Sequence, residues 1–171
     1  YFTANGVNKE QDPYYAHTYK ISLNGLGMKT LDPGDFTTTS SMSDSNQYFV
    51  NNFSRVNTTP KSEVRDTNGN LVLDLETADL SQLFASGYQF PEPFKVKADD
   101  GITDIYGVMY KPFDMDSTKV YPLLEYVYPG PQTEAVNKSF SYRMDRLDRM
   151  AQVGFVVITL GNRGGHPDRS K

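Results

Sequence analysis

The sequence predicts a mixed fold, in which an all-β segment precedes a segment that contains a strand–helix–strand unit. Three observations support this prediction. Short strand-like runs separated by turn residues fill residues 1–77, and a stretch with two prolines at residues 89–93 interrupts the pattern. Two continuous apolar runs then flank an amphipathic stretch in the last part of the chain. The chain therefore reads as two regions with different architectures.

The first 77 residues are expected to form short antiparallel strands. The predicted strands cover residues 1–4, 14–23, 29–31, 36–42, 48–56, 61–66 and 71–76. Turn signals such as Asn24-Gly25 and Asn68-Gly69 separate them, and Asn-Gly is a strong hairpin signal. Close spacing of this kind is typical of a meander, as in a sandwich or a propeller blade. About two four-stranded blades fit this length.

Residues 78–92 are predicted to link the two regions. A short helix is expected over residues 78–85, with Leu80, Leu83 and Phe84 on one face and Gly87 as the C-terminal stop. The prolines that follow favour an extended chain. We therefore place the domain boundary in this segment.

Residues 93–171 are expected to form a mixed, mostly parallel sheet. A hairpin is predicted over residues 94–111, and it turns at Asp99-Asp100-Gly101. A strand over residues 121–128, a helix over 134–152 and a strand over 153–160 make a βαβ unit. Both of these strands read as buried on both faces. Tyr128 and Asn162-Arg163 then lie at the carboxyl ends of the parallel strands, where ligand sites form.

Composition excludes several functions. The net charge of −4 argues against a nucleic-acid partner, and no run approaches the ~20 apolar residues of a membrane span. Cysteine is absent, and the two histidines, His17 and His166, lack ligand-like spacing. No metal or other cofactor is therefore predicted. No Gly-x-Ser-x-Gly nucleophile motif occurs in the chain.

Three motifs have both a functional and a structural interpretation. Tyr128 follows an apolar strand and precedes Pro129-Gly130-Pro131, so its phenol is either an oxyanion donor or a packed strand-end aromatic. The glycine-rich run 161–165 departs from the phosphate-loop pattern, which favours a tight strand exit. Residues 66–70 alternate like a calcium loop but fail its later positions, which favours a hairpin turn.

Several motifs together resemble one enzyme family. They are Asp12-Pro13-Tyr14-Tyr15, the runs 94–101 and 106–112, Tyr126-Val127-Tyr128-Pro129-Gly130-Pro131-Gln132, and Gly161-Asn162-Arg163-Gly164-Gly165. In this order they resemble the dipeptidyl peptidase IV branch of the prolyl oligopeptidase family of serine peptidases. The resemblance implies that residues 1–77 end a β-propeller domain, residues 78–92 are a linker, and residues 93–171 begin an α/β-hydrolase domain.

The resemblance also implies an activity and a role for one residue. Family members release Xaa-Pro or Xaa-Ala dipeptides from the N-termini of peptides through a Ser-Asp-His triad. In the family motif Val-Tyr-x-Gly-Pro, here Val127 to Pro131, the tyrosine completes the oxyanion hole, so Tyr128 takes that role. The triad would follow Lys171, and the glutamates that bind the substrate's amino group would precede Tyr1. We therefore expect a fragment that is inert alone.

The partners and compartment follow from the same resemblance. The expected partner is a peptide with a free N-terminus, without nucleic acid and without membrane contact in this segment, and the parent would form a homodimer. The family's usual location is extracytoplasmic. Two alternatives stay open at this point. One is another propeller-bearing serine hydrolase, either an acylaminoacyl peptidase or an oligopeptidase, and the other is a non-catalytic β-rich binding module.

Overall fold

A computed structural model describes residues 1–128, 130 and 133–162. The chain divides into two compact units. Unit 1 contains Tyr1–Asp79 together with Lys138–Phe140, and unit 2 contains Leu80–Asn137 and the chain from Ser141 onward. Across the described residues, no helix has the length and apolar character that crossing a membrane requires.

Unit 1 consists of two antiparallel sheets. The first has three strands in the order β1-β2-β3, and the second has four in the order β4-β5-β6-β7. Their bounds are β1 Phe2–Asn5, β2 Ala16–Lys20, β3 Lys29–Thr30, β4 Thr37–Met42, β5 Tyr48–Ser54, β6 Lys61–Asp66 and β7 Leu71–Thr77. Neighbours in the second sheet are consecutive in sequence, so it is the meander that the turn spacing predicts.

The core of unit 1 combines aromatic and aliphatic side chains with buried polar ones. Phe49 and Leu31 are among its fully buried side chains. A row of hydrogen-bonded polar side chains crosses four strands, and we call it the polar ladder: Thr18, Ser40, Asn51 and Glu63. Ser40 lies opposite Asn51, and Asn51 lies opposite Glu63. Cross-strand register therefore places these polar groups side by side.

Unit 2 is built around one mixed sheet of four strands in the order β10-β11-β9-β8. Its elements are α1 Ser81–Ala85, β8 Glu92–Lys97, β9 Asp104–Tyr110, β10 Leu123–Tyr126, α2 Arg146–Gln152 and β11 Val156–Leu160. β10 and β11 are parallel, with α2 between them in sequence, which confirms the predicted strand–helix–strand unit. The hairpin β8–β9 and the short helix α1 are also confirmed.

The expectation of a mostly parallel sheet is wrong for the described residues. β10–β11 is parallel, whereas β11–β9 and β9–β8 are antiparallel. The expectation that both parallel strands are buried on both faces is also wrong, because Leu123 at the start of β10 is 64% exposed. Apolar composition alone does not separate a strand at the edge of a sheet from a central one, and β10 lies at the edge.

The predicted helix over residues 134–152 is also wrong over most of its length, because α2 begins only at Arg146. The preceding segment makes tertiary contacts within unit 1 instead. The Lys138 ammonium lies 2.8 Å from the Asp12 carboxylate, and the Phe140 N–H donates to Ser54 Oγ at 3.1 Å. These contacts replace a helical path that the apolar spacing alone favoured, since packing overrides weak local propensity.

Candidate functional site

Tyr128 lies two residues beyond the end of β10, at the edge of the sheet where the parallel strands end. Its side chain is 55% exposed. β11 ends at Leu160 on the same edge, because it runs parallel to β10 in matched register. The phenol is thus accessible at the strand ends, as sequence reasoning placed it.

A cleft of about 310 Å³ opens beside Tyr128 within unit 2. Three pieces of chain form it, namely the end of β10, the segment 133–137 and the start of α2. The lining residues are Tyr126, Tyr128, Thr133, Ala135, Asn137, Asp145, Arg146 and Leu147. The cleft therefore contains two phenols, one amide, one carboxylate and one guanidinium, which is a set able to bind a polar ligand.

The segment 133–137 is fixed by its own hydrogen bonds. Val136 is buried, and its N–H donates to Glu134 Oε1 at 3.0 Å. The Asn137 side-chain amide donates to the hydroxyl of Tyr110 in β9 at 3.3 Å. Burial raises the pKa of Tyr110 to about 12, so this hydroxyl stays neutral at physiological pH. The wall of the cleft is thereby tied to the sheet.

Gly161 packs closely against Glu134, in the segment that forms this wall of the cleft. A Cβ at this position would lie 2.9 Å from Glu134 Oε2 and 3.3 Å from the Tyr106 carbonyl oxygen. The Gly161 N–H donates to that carbonyl at 3.0 Å, directly after β11. Close approach of this kind agrees with the tight strand exit that the glycines favour. Residues 163–165, including Arg163, lie outside the described residues.

The first turn of α2 supplies the other wall. The N–H of Asp145 donates to the Asp148 carboxylate at 3.2 Å, which satisfies a donor before the helix starts. Burial raises the pKa of Asp148 above its ordinary value. Leu147 and Ala151 are the buried residues of α2. Arg146 precedes Leu147 at the first position of the helix, and its guanidinium donates to the Tyr126 hydroxyl at 3.1 Å.

The other candidates have structural roles. His17 is buried in β2, where its Nδ1 lies 3.1 Å from the Asp32 carbonyl oxygen. The Asp66 carboxylate accepts the backbone N–H groups of Asn68 and Asn70, which confirms the hairpin turn between β6 and β7. Across the described residues, no group of three or more His, Asp or Glu side chains could hold a metal ion. His166 lies outside the described residues.

Among the residues that line the cleft, Tyr128 is the one that the sequence predicts as a site residue. The predicted helix over residues 134–152 contains both Asn137 and Arg146, so neither is expected beside the strand ends. The pair Asp145 and Asp148 carried a usable signal, because an Asp three residues before a second acid is typical of a helix start. A helix beginning there would have placed Arg146 in its first turn and left residue 137 in a loop.

Comparisons with known proteins point to peptidases. No family model matches the chain. It is 40% identical over 78 residues to dipeptidyl peptidase 8 of Mus musculus and of Homo sapiens, which covers 45% of this chain and 9% of each relative. It is 28% identical over 167 residues to a probable dipeptidyl-aminopeptidase B of Aspergillus terreus, which covers 92% of this chain and 18% of that protein.

These similarities confirm the resemblance to the dipeptidyl peptidase IV branch of the prolyl oligopeptidase family. The similarity to the fungal protein extends over nearly the whole chain, whereas the higher identity to dipeptidyl peptidase 8 covers less than half of it. The chain spans about a tenth to a fifth of the length of these curated relatives.

Proposed function

We propose that this chain is part of a serine exopeptidase that releases N-terminal Xaa-Pro or Xaa-Ala dipeptides. The observation that carries the proposal is the position of Tyr128, exposed beside a cleft at the strand ends of a chain similar to dipeptidyl peptidases. A nucleophilic serine attacking the peptide carbonyl creates an oxyanion, and the Tyr128 O–H donates a hydrogen bond to it. Such a donor acts mainly in the transition state, which raises kcat.

The domain assignment is part of the same proposal. Residues 1–77 end a β-propeller, residues 78–92 link it to the next domain, and residues 93–171 begin an α/β-hydrolase domain. The four-stranded meander β4–β7 supports a propeller blade, and the parallel pair β10–β11 supports the hydrolase sheet. The substrate is a peptide with a free N-terminus, and the proposed location is extracytoplasmic.

The Tyr128→Phe variant of the full-length protein tests the role of the phenol. We expect kcat for an N-terminal Xaa-Pro chromogenic substrate to fall by about 10²–10³, with KM little changed. Tyr142→Phe is the matched control, because Tyr142 is exposed in the same unit but does not line the cleft. Its kcat should stay within about twofold of wild type. A near-normal kcat for Tyr128→Phe would reduce Tyr128 to a strand-end aromatic.

A substrate panel separates the alternative functions. A dipeptidyl peptidase turns over substrates with a free amino terminus, whereas an acylaminoacyl peptidase prefers an N-acylated residue and an oligopeptidase cleaves within the peptide. A binding module turns over none of them. Assaying free, acetylated and internal Xaa-Pro substrates at equal concentration therefore assigns the class. Preference for the free amino terminus is the expected result.

A further inference from the structure

Arg146 presents a fixed cation to the cleft. Its guanidinium donates to the Tyr126 hydroxyl at 3.1 Å, and its central carbon lies 5.2 Å from the centre of the Tyr126 ring. Its side chain is nevertheless 72% exposed. A guanidinium has five N–H donors, so the contact with Tyr126 orients the group and leaves donors facing solvent.

The neighbouring Asp145 carboxylate does not form a hydrogen bond with the Arg146 guanidinium. Asp145 Oδ1 lies 4.0 Å from Arg146 Nε, which is too long for a hydrogen bond. Both side chains are exposed, and an exposed ion pair at this distance adds little interaction energy. A ligand carboxylate that approaches within hydrogen-bond distance would therefore gain a bond that Asp145 does not make. Arginine suits this ligand because its planar fork matches a carboxylate.

Arg146 and Tyr128 line the same cleft, which measures about 310 Å³. If Tyr128 donates to the oxyanion, the scissile carbonyl lies at this cleft, and one further residue extends the substrate by only ~3.5 Å. An anionic group on the first residue of the leaving peptide thus falls within the same small space. Asn137 and Thr133 add neutral polar groups to its lining.

We propose that Arg146 is a specificity-determining residue, which binds a carboxylate carried by the first residue of the leaving peptide. This inference rests on the proposed function. The carboxylate has two possible sources, namely the C-terminus of a tripeptide and the side chain of an acidic residue. Both present the same chemistry to the guanidinium, and both predict that a negative charge at this position raises kcat/KM.

The experiment uses the full-length protein and three peptides that share one N-terminal Xaa-Pro. The first is Xaa-Pro-Ala with a free carboxylate, the second is its C-terminal amide, and the third is Xaa-Pro-Asp amide. We expect the wild type to favour one or both charged peptides over the neutral amide by about tenfold in kcat/KM. The first and third peptides separate the C-terminal source from the side-chain source.

Variants assign this preference to Arg146. Arg146→Gln should reduce the ratio of charged to neutral substrate to near one, and Arg146→Lys should retain part of it. Arg149→Gln is the control, since Arg149 lies on the same helix, bonds the Met144 carbonyl and does not line the cleft. It should keep the full ratio. Thermal unfolding of each variant checks that the exposed substitutions leave the fold intact.

The outcomes are distinguishable. A wild type that cleaves all three peptides equally well overturns the role of Arg146 while leaving the dipeptidyl peptidase function standing. A tenfold preference that persists in Arg146→Gln likewise overturns it. Failure of the wild type to cleave any of the peptides, or the chromogenic substrate, refutes the proposed function and with it this inference.

Discussion

Units 1 and 2 both rest on four-stranded sheets, but they bury different chemistry. Among the described residues, unit 1 buries His17, Thr18, Asp32, Thr38, Asn51, Ser54 and Glu63, whereas Thr159 is the buried polar residue of unit 2. Both units bury apolar side chains, which in unit 2 include Val108, Tyr110 and Val157 on its sheet and in unit 1 include Leu31 and Phe49. Unit 1 thus adds a buried hydrogen-bond network to its apolar core, whereas unit 2 depends mainly on apolar packing.

The difference has a physical consequence. A slip of one residue between β4 and β5 or between β5 and β6 would turn the shifted side chains to the other face, separate the polar ladder and leave a buried member such as Asn51 without one of its partners. Leaving a buried polar group unpaired costs more than forming its bond gains. The ladder therefore fixes strand register in unit 1. In unit 2 close packing has that role, as at Gly107, where an added Cβ would lie 2.8 Å from the Thr159 carbonyl oxygen.

The largest expected effect comes from removing the acceptor at the centre of the polar core of unit 1. The buried Asp32 carboxylate accepts the Thr18 N–H at 3.0 Å and the Thr38 hydroxyl at 2.8 Å. Asp32→Ala leaves these donors buried, so we expect a loss of about 3–5 kcal/mol in the stability of unit 1. Hydrogen-exchange mass spectrometry would measure it on peptides from β2 and β4.

The matched control for that variant is Asp35→Ala. Asp35 lies three residues along the chain and pairs with Arg55 at the exposed surface. An exposed ion pair contributes at most about 1 kcal/mol to folding stability, so hydrogen exchange of the β2 and β4 peptides should change little. Equal effects of the two substitutions would contradict the view that buried hydrogen bonds specify unit 1.

A middle-sized effect is expected from the apolar core of unit 2. Val157 in β11 is fully buried, and Val157→Ala should cost about 2 kcal/mol through lost burial and the cavity it leaves. Val153→Ala provides the comparison, because Val153 is exposed just after α2 and should cost less than about 0.5 kcal/mol. Exchange of β9 and β11 peptides is the measurement. Insensitivity of both strands to Val157→Ala would show that packing there is loose.

The smallest effect concerns a surface charge of unit 2. Hydrogen bonding from the Lys97 ammonium, aided by Lys95, holds the pKa of Asp104 below its ordinary value. The folded state then binds fewer protons than the unfolded state. The contribution of Asp104 to folding stability is therefore present above the unfolded pKa of this group and is lost as the pH falls through its folded pKa.

Asp104→Asn removes that contribution. The Tm of the wild type should slightly exceed that of the variant at pH 6, and the gap should close as the pH falls below about 4. Asp104 is at the surface, and added salt should also narrow the gap. A gap that widens on acidification would contradict the assigned direction of the pKa shift.

Sequence patterns predicted features that depend on a few neighbouring residues. The turns at Asn68-Gly69 and Asp99-Asp100-Gly101 were predictable because Asn, Asp and Gly favour these backbone conformations whatever surrounds them. Gly69 and Gly101 both adopt positive φ, at 80° and 67°. Similar sequence signals predict the strands of the meander, the hairpin β8–β9, the parallel pair β10–β11 and the place of Tyr128 just after a strand.

Tertiary structure determined the conformation of the chain wherever local signals compete with distant contacts. Residues 134–145 carry helical spacing, yet Lys138 and Phe140 bind side chains of unit 1, and α2 starts only at Arg146. That shorter helix brings Arg146 to Tyr126 and shapes the cleft beside Tyr128. The polar ladder likewise depends on register between strands, which single residues do not encode. The sequence alone therefore singled out Tyr128 as a candidate, and only the packing of the chain around it places the Arg146 guanidinium in the same cleft.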